Sequence, residues 1–266
     1  MRALYPMILL TIFISLTTTS IASAESWYKV RRDVIFFEYS QGVATDGEYW
    51  YFTSRYGIVK TDMDYEIVKA RHFDIPLVLW LRGYNHIGDP DYYNGKLYVP
   101  LEGKKWHRHP IVAVYDAKTL RYTGIYYNLN TSLIDAAWIA IDPENGLAYS
   151  SDDTTDIIDV YDLNQDFRLI GSIKLNKILK STQGGAIYEG YLYISCDDEN
   201  KSIYRINLSN GEVTRIIYLD MPGEVEGMAF LDIYGARLHF IFLPPPTFLL
   251  PFNIWGNYFY HYNIRH

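Results

Sequence analysis

From Gln41 onward the chain alternates apolar and polar residues in short runs, the period of half-buried strands, and the runs come in pairs across tight turns. "GLAYSSDDTTDIIDVYDL" (146–163) reads as strand, acidic turn, strand, and "GYLYISCDDENKSIYRINL" (190–208) repeats the pattern. Three further stretches share its first half. The copies start as "QGVATDGEYWYFTS" at Gln41, "IGDPDYYNGKLYVPLEG" at Ile87, "AWIAIDPENGLAYSSDD" at Ala137, "QGGAIYEGYLYISCDDE" at Gln183 and "EGMAFLDIYGARLHFIFL" at Glu226. Asp46-Gly47, Asn94-Gly95, Asn145-Gly146 and Glu189-Gly190 are hairpin signals between alternating segments, and Gly235 holds the same place in the last copy. Further strands follow in "IVAVYDAKTLRYTGIYYNL", "DIIDVYDLNQDFRLIGSIKL" and "SIYRINLSNGEVTRIIYL", each broken by a polar turn.

Four antiparallel strands recurring every 40–50 residues, with no capped stretch of 3.6-residue apolar period, predict an all-β chain folded as a single β-propeller. Five blades fit the length. The segment 27–39, "WYKVRRDVIFFEY", precedes the first copy without a blade of its own. It is expected to complete the last blade as its outer strand, closing the ring and removing two open sheet edges. A six-bladed ring is the alternative, with "FNIWGNYFYHYNI" (252–264) and the N-terminal strand forming a degenerate extra blade.

The first 24 residues change the picture of where such a domain works. Arg2, an apolar run around Leu9 to Leu16, and the small-x-small ending Ala22-Ser23-Ala24 make the pattern of a cleaved signal peptide. The propeller domain is then 25–266, secreted or periplasmic, with no stable membrane span and a monomer expected. A sole cysteine, Cys196, leaves no internal disulfide, so the core must supply the stability. A net charge of −7 without a Lys/Arg run argues against nucleic acid. The 26 tyrosines favour strands, and Trp50, Tyr51, Trp106 and Trp138 read first as packing between blades.

The "V-x-V-Y-D" and "G-x-L-Y-[VI]" strands resemble those of exported bacterial propellers of the YncE-like and SMP-30/gluconolactonase-like kind. In the latter resemblance, the Glu226-Gly227 start implies a metal-binding carboxylate. The other metal ligands of those lactonases have no distinctive match in the chain.

In a propeller the innermost strands start on the face that also carries the turn between second and third strands. Gln41, His86, Asp89, Asp135, Trp138, Gln183 and Glu226 therefore meet Arg55, Glu102, Asp152, Asp153, Asp197 and Asp198 at one mouth. Gln41, Asp89, Trp138 and Gln183 are candidate ligand-binding residues, for a small molecule or a protein partner. Glu102, Asp152, Asp197 and Glu226, from four repeats, are candidate ligands for a Ca²⁺-type cation, which wants several oxygens at once. The competing reading of each Asp pair is a polar turn. His86 is the candidate general base of a lactonase-like, metal-dependent hydrolase, the alternative to a non-catalytic binding propeller. His107-x-His109 near Glu102 is a weaker transition-metal pattern. No nucleophile elbow, phosphate loop or zinc-protease motif is present.

Overall fold

The structure, a computed structural model, describes residues 26–103, 109–246 and 256–265. The signal-like segment 1–24, Trp106, His107 and most of the apolar stretch after Pro246 lie outside the described residues.

The first strand, β1 (Ser26–Ile35), belongs to the last blade. Blade one is β2 (Gly42–Thr45), β3 (Trp50–Thr53), β4 (Ile58–Thr61) and β5 (Ile67–Arg71). One helical turn, α1 (Leu77–Trp80), leads into blade two. There β6 (Tyr84–Ile87) and β7 (Asp91–Tyr93) share the innermost position, followed by β8 (Lys96–Gly103), β9 (Ile111–Asp116) and β10 (Arg121–Asn128). Blade three is β11 (Ala140–Asp142), β12 (Leu147–Ser150), β13 (Thr155–Asp162) and β14 (Arg168–Leu179). Blade four is β15 (Thr182–Tyr188), β16 (Tyr191–Cys196), β17 (Ser202–Asn207) and β18 (Val213–Tyr218). Blade five is β19 (Glu224–Ile233), β20 (Ala236–Leu243) and β21 (Asn257–Arg265), with β1 as its outer strand.

The ring has five blades. The segment that could have seeded a sixth is β21, which pairs with β20 on one side and with β1, from Ser26↔Arg265 to Ile35↔Asn257, on the other. The hairpin signals hold in physical detail. Asn94-Gly95, Glu189-Gly190 and Tyr234-Gly235 each place two consecutive residues at positive φ, the backbone a two-residue hairpin of right-handed twist requires.

Apolar residues gather into five clusters, one in each seam between neighbouring blades. Tyr51 and Ile58 of blade one meet Leu97 and Ile111 of blade two. Phe52 and Trp50 meet Ile241 and Phe259 of blade five. Trp50, Tyr51 and Trp138 are fully buried, so these aromatics are packing residues, the first reading of all three. Cys196 lies in the seam of blades three and four, and burial raises its thiol well above the ordinary value.

One buried residue, through its side chain and its backbone, joins all the blades. Asp89, fully enclosed, follows Ile87 by two positions, as Val43, Gly185 and Met228 follow Gln41, Gln183 and Glu226. Its Oδ1 accepts from the amide of Val43 (2.8 Å), and its Oδ2 accepts from Gly185 (3.1 Å) and Met228 (3.3 Å). Its own amide donates to the Ala137 carbonyl (2.7 Å), and its carbonyl accepts from Ile139. The five innermost strands approach so closely that glycine is needed beside it. A Cβ on Gly42 would stand 2.4 Å from the Asp89 Cα, and one on Gly227 would stand 2.1 Å from its Oδ1. Asp89 was expected to be a ligand residue at the mouth. It is instead the hub of the ring, because backbone amides take up both its oxygens. Burial raises its pKa well above the usual carboxylate range, against an opposing downward pull from those three amides.

The closure blade carries a second polar chain. The Nδ1 atoms of His239 and His261 face each other at 2.6 Å; His239 Nε2 meets the Leu231 carbonyl at 2.7 Å. His261 Nε2 stands 3.1 Å from Asp33, which also receives the Tyr65 hydroxyl of blade one and the Arg31 guanidinium. Burial pushes His239 down to about 4. Burial, then the neighbouring His239, pushes His261 down to about 3, against a pull from Asp33.

Replacing Asp89 with Asn substitutes a donor for one of two acceptor oxygens and should lower unfolding stability by about 2–4 kcal/mol in chemical denaturation. The histidine pair gives an acid limit. Both folded-state values lie below the unfolded value of about 6.5, so their contribution is whole above that pH and is lost as pH falls through about 4 and about 3. The denaturation midpoint of His261→Gln should fall less steeply with acid than that of the parent.

Candidate functional site

Each blade is an up-and-down sheet, so the entries to the innermost strands and the turns between second and third strands lie at one end of the ring. Four blades contribute to a cleft of about 410 Å³ at that end. Arg55 comes from the β3–β4 turn, His86 from β6, and Glu102 from the end of β8. Asp135 comes from the approach to β11, Asp153 from the β12–β13 turn, and Gln183 from β15; Asn85 completes the wall. One guanidinium thus stands among three carboxylates. A hollow of about 500 Å³ is walled by blade three and its approach alone; its lining has Asp152, Asp156 and Asp159 but no cationic side chain.

His86 sits at the centre of the cleft's polar contacts. Its Nδ1 lies 3.0 Å from Glu102 Oε2, and its Nε2 contacts the Gln41 carboxamide. Burial and then the Arg55 charge push His86 down to about 4, against a pull from Asp135. Both of its ring nitrogens face protein oxygens, Glu102 on one side and Gln41 on the other. That arrangement fixes a wall residue. A general base needs a free nitrogen aimed at substrate.

The other expected site residues fall into two groups. Gln183 lines the cleft, and Gln41 borders it through His86. Trp138, expected to bind ligand, is fully buried instead; its Nε1 donates to Thr182 Oγ1 (3.1 Å), and its ring fills the space that a side chain at Gly185 would need.

Two of the proposed cation ligands, Asp152 and Asp197, are taken up by backbone amides. Asp152 accepts from the amides of Ile134 (3.2 Å) and Asp135 (2.8 Å). Asp197 accepts from the Val225 amide (3.2 Å) at the entry to the next blade and pairs with Lys201 at 2.9 Å. Glu102 faces His86. Glu226 is buried; burial and then the Glu224, Asp197, Asp89 and Glu102 carboxylates raise it well above the ordinary value. Among the described residues, no three His, Cys, Asp or Glu side chains stand where they could hold a metal ion. The Asp pairs are structural clamps. Their first members tie the turn to the start of an innermost strand, and Asp198 accepts from Asn200, Ser202 and Tyr204 within its own turn. His109 Nδ1 contacts the Leu133 carbonyl at 3.3 Å, and its proposed partner His107 is outside the described residues. Asn85 is the cleft residue that sequence reasoning missed; its one signal is its place next to His86.

Fold and site together define a five-bladed β-propeller with a closed axis and a polar cleft on one face. No family model matches the chain. No curated protein matches it either. Among solved structures, the chain is similar to a structure titled Kuenenia stuttgartiensis hydrazine synthase, with 14% identity and a TM-score of 0.49 over 80% of this chain. This chain spans 58% of the length of that one.

Replacing Asp197 with Ala should cost about 1 kcal/mol through the lost Val225 contact. The melting temperature of both parent and variant should be the same in chelator and in added Ca²⁺. A Ca²⁺-dependent melting temperature that the substitution abolishes would restore the cation site.

Proposed function

We propose that the protein is an exported binding propeller whose mouth cleft takes a small polar ligand bearing both a cationic and an anionic group. The observation that carries this reading is the cleft's charge arrangement. Arg55 brings a guanidinium to attract a carboxylate or phosphate, and Asp135 and Asp153 bring negative charge to attract an ammonium. The groups come from rigid strand ends and turns of four blades, which suits selective binding of one small shape. Export rests on the signal-peptide pattern of residues 1–24.

The lactonase-like alternative finds less support. Its proposed base has both ring nitrogens against protein groups, and two of its proposed metal ligands, Asp152 and Asp197, accept from backbone amides. A thermal-shift screen of amino acids, betaines and amino sugars should find a ligand that raises the melting temperature of the parent by mass action. Arg55→Gln and Asp135→Asn should each weaken that ligand about tenfold or more, as loss of one charge-assisted hydrogen bond implies. Chelator-sensitive hydrolysis of a lactone, with no ligand found in the screen, would replace this reading by the enzymatic one.

A further inference from the structure

Four of the five blades break register near the entry to the innermost strand. In blade one the amides of Ser40 and Gln41 both donate to the Thr53 carbonyl (3.1 Å each). In blade two Tyr84 pairs with Gly103 and His86 with Glu102, which leaves Asn85 as an extra residue. In blade four Thr182 pairs with Cys196 and Gly184 with Ser195, which leaves Gln183 extra. In blade five Glu226 and Gly227 together stand against Ile241 alone. Each break is a β-bulge, and a bulge turns a side chain away from its strand's alternation. Asn85 and Gln183 line the mouth cleft, and Gln41 borders it through His86. Glu226 is the fourth bulged position, and the acidic one.

Three of these residues stand side by side. Gln183, Glu226 and Gln41 belong to consecutive blades, and each is followed by glycine. A Cβ on Gly184 would stand 2.6 Å from the Gly227 Cα, and one on Gly227 would stand 2.5 Å from the Gly42 Cα. The three side chains therefore leave adjacent backbones at the rim of the closed axis. The backbone of Glu226 is pinned on both sides. Its carbonyl accepts from Ser195 Oγ of blade four (2.7 Å), and the Gly227 amide donates to the Gln41 carbonyl of blade one (3.0 Å). Its side chain is not pinned. Glu226 is only 6% exposed, yet among the described residues no hydrogen bond or ion pair reaches its carboxyl. The groups whose charges act on it most strongly, Glu224, Asp197, Asp89 and Glu102, are all acids.

A buried carboxyl without a partner is costly, so a molecule that brings it N–H donors and positive charge gains more than at an exposed acid. The surroundings favour an organic cation over a metal ion. A hard metal ion wants several oxygens at once, and among the described residues no three acidic, His or Cys side chains converge to hold one. An ammonium needs fewer acceptors, and the Gln183 carboxamide beside Glu226 offers a second.

We propose that Glu226 is the residue that receives the ligand's ammonium group, in a niche between Gln183 and Gln41 at the axial end of the cleft. The proposal rests on the reading of the cleft as a binding site, and it gives the ligand a direction. The cationic end lies against the axis. The anionic end lies outward at Arg55, which stands on the turn between second and third strands. Asp135 and Asp153 attract the ammonium by charge, and Glu226 bonds it.

The test is a thermal-shift titration with two probes, n-butylammonium chloride and 4-aminobutanoate, against sodium chloride of matched ionic strength. Glu226→Gln removes a charge from among like charges, so its unliganded melting temperature should hold or rise. Both probes should raise the melting temperature of the parent by mass action. Glu226→Gln should need about tenfold or more of each probe for the same shift. Gln183→Met, which keeps the acid, should need about threefold more. Equal shifts of the parent and Glu226→Gln, or no shift of the parent by either probe, overturn the proposal. A 4-aminobutanoate shift that Arg55→Gln weakens and Glu226→Gln does not also overturns it, and leaves the cleft reading standing. A butylammonium shift that needs Glu226, with no shift by 4-aminobutanoate, keeps the proposal and removes the doubly charged ligand instead. A Ca²⁺-driven shift that Glu226→Gln abolishes, with both organic probes inert, would give the residue to a metal ion and overturn the proposal.

Discussion

One carboxylate holds the centre of this protein. Asp89 reaches blades one, four and five through its oxygens and blade three through its backbone, and it belongs to blade two. Burying an acid is costly, and amide donors offset that cost only if they are fixed in place. Here they are fixed because each is the same position in a repeated strand. The glycines around the axis follow from the same constraint, since any side chain at Gly42 or Gly227 would collide with the hub. The axis is therefore closed, and the chemistry of the mouth is confined to a side cleft above it.

The remaining stability is distributed around the ring. Each seam has its own apolar cluster, so no blade has a core apart from its neighbours, as in other repeat architectures. The pairing of β1 with β21 makes the fifth blade four-stranded like the others, although it joins the two ends of the described chain. The histidine chain crosses that blade strand by strand, from the Leu231 carbonyl to Asp33, and Tyr65 ties it to blade one.

The fold was legible in the sequence because its determinants are local. Asn94-Gly95 and Glu189-Gly190 announce their own backbone, and alternation around them announces strands. The role of 27–39 was legible because an unpaired strand in a ring has one place to go. The site was less legible, because local sequence shows that a residue is polar without showing its partner. Asp197 and Asp152 look like members of an acidic ring until the amides of Val225, Ile134 and Asp135 are found on them. Asp89 was placed at the right end of the right strand, but nothing near it in sequence reveals that three amides from distant repeats converge on it. The exposed connection between blades one and two was invisible for the converse reason. A run such as "IPLVLWL" reads as buried until the structure shows that only Leu79 is.

The hub also bears on how many copies the repeat can have. A carboxylate has two oxygens and a reach of one hydrogen bond, and five inner strands are few enough for their amides to crowd within that reach. A sixth strand would widen the circle, as strand number widens any closed barrel, and would move the amides away from a central acid. Nor can a second copy adopt the aspartate, since two buried like charges would then share one site. The duplicated units are thus no longer interchangeable. Units with Val43, Gly185 and Met228 at the equivalent position leave it uncharged so that one can be acidic, and this asymmetry opposes both gain and exchange of blades.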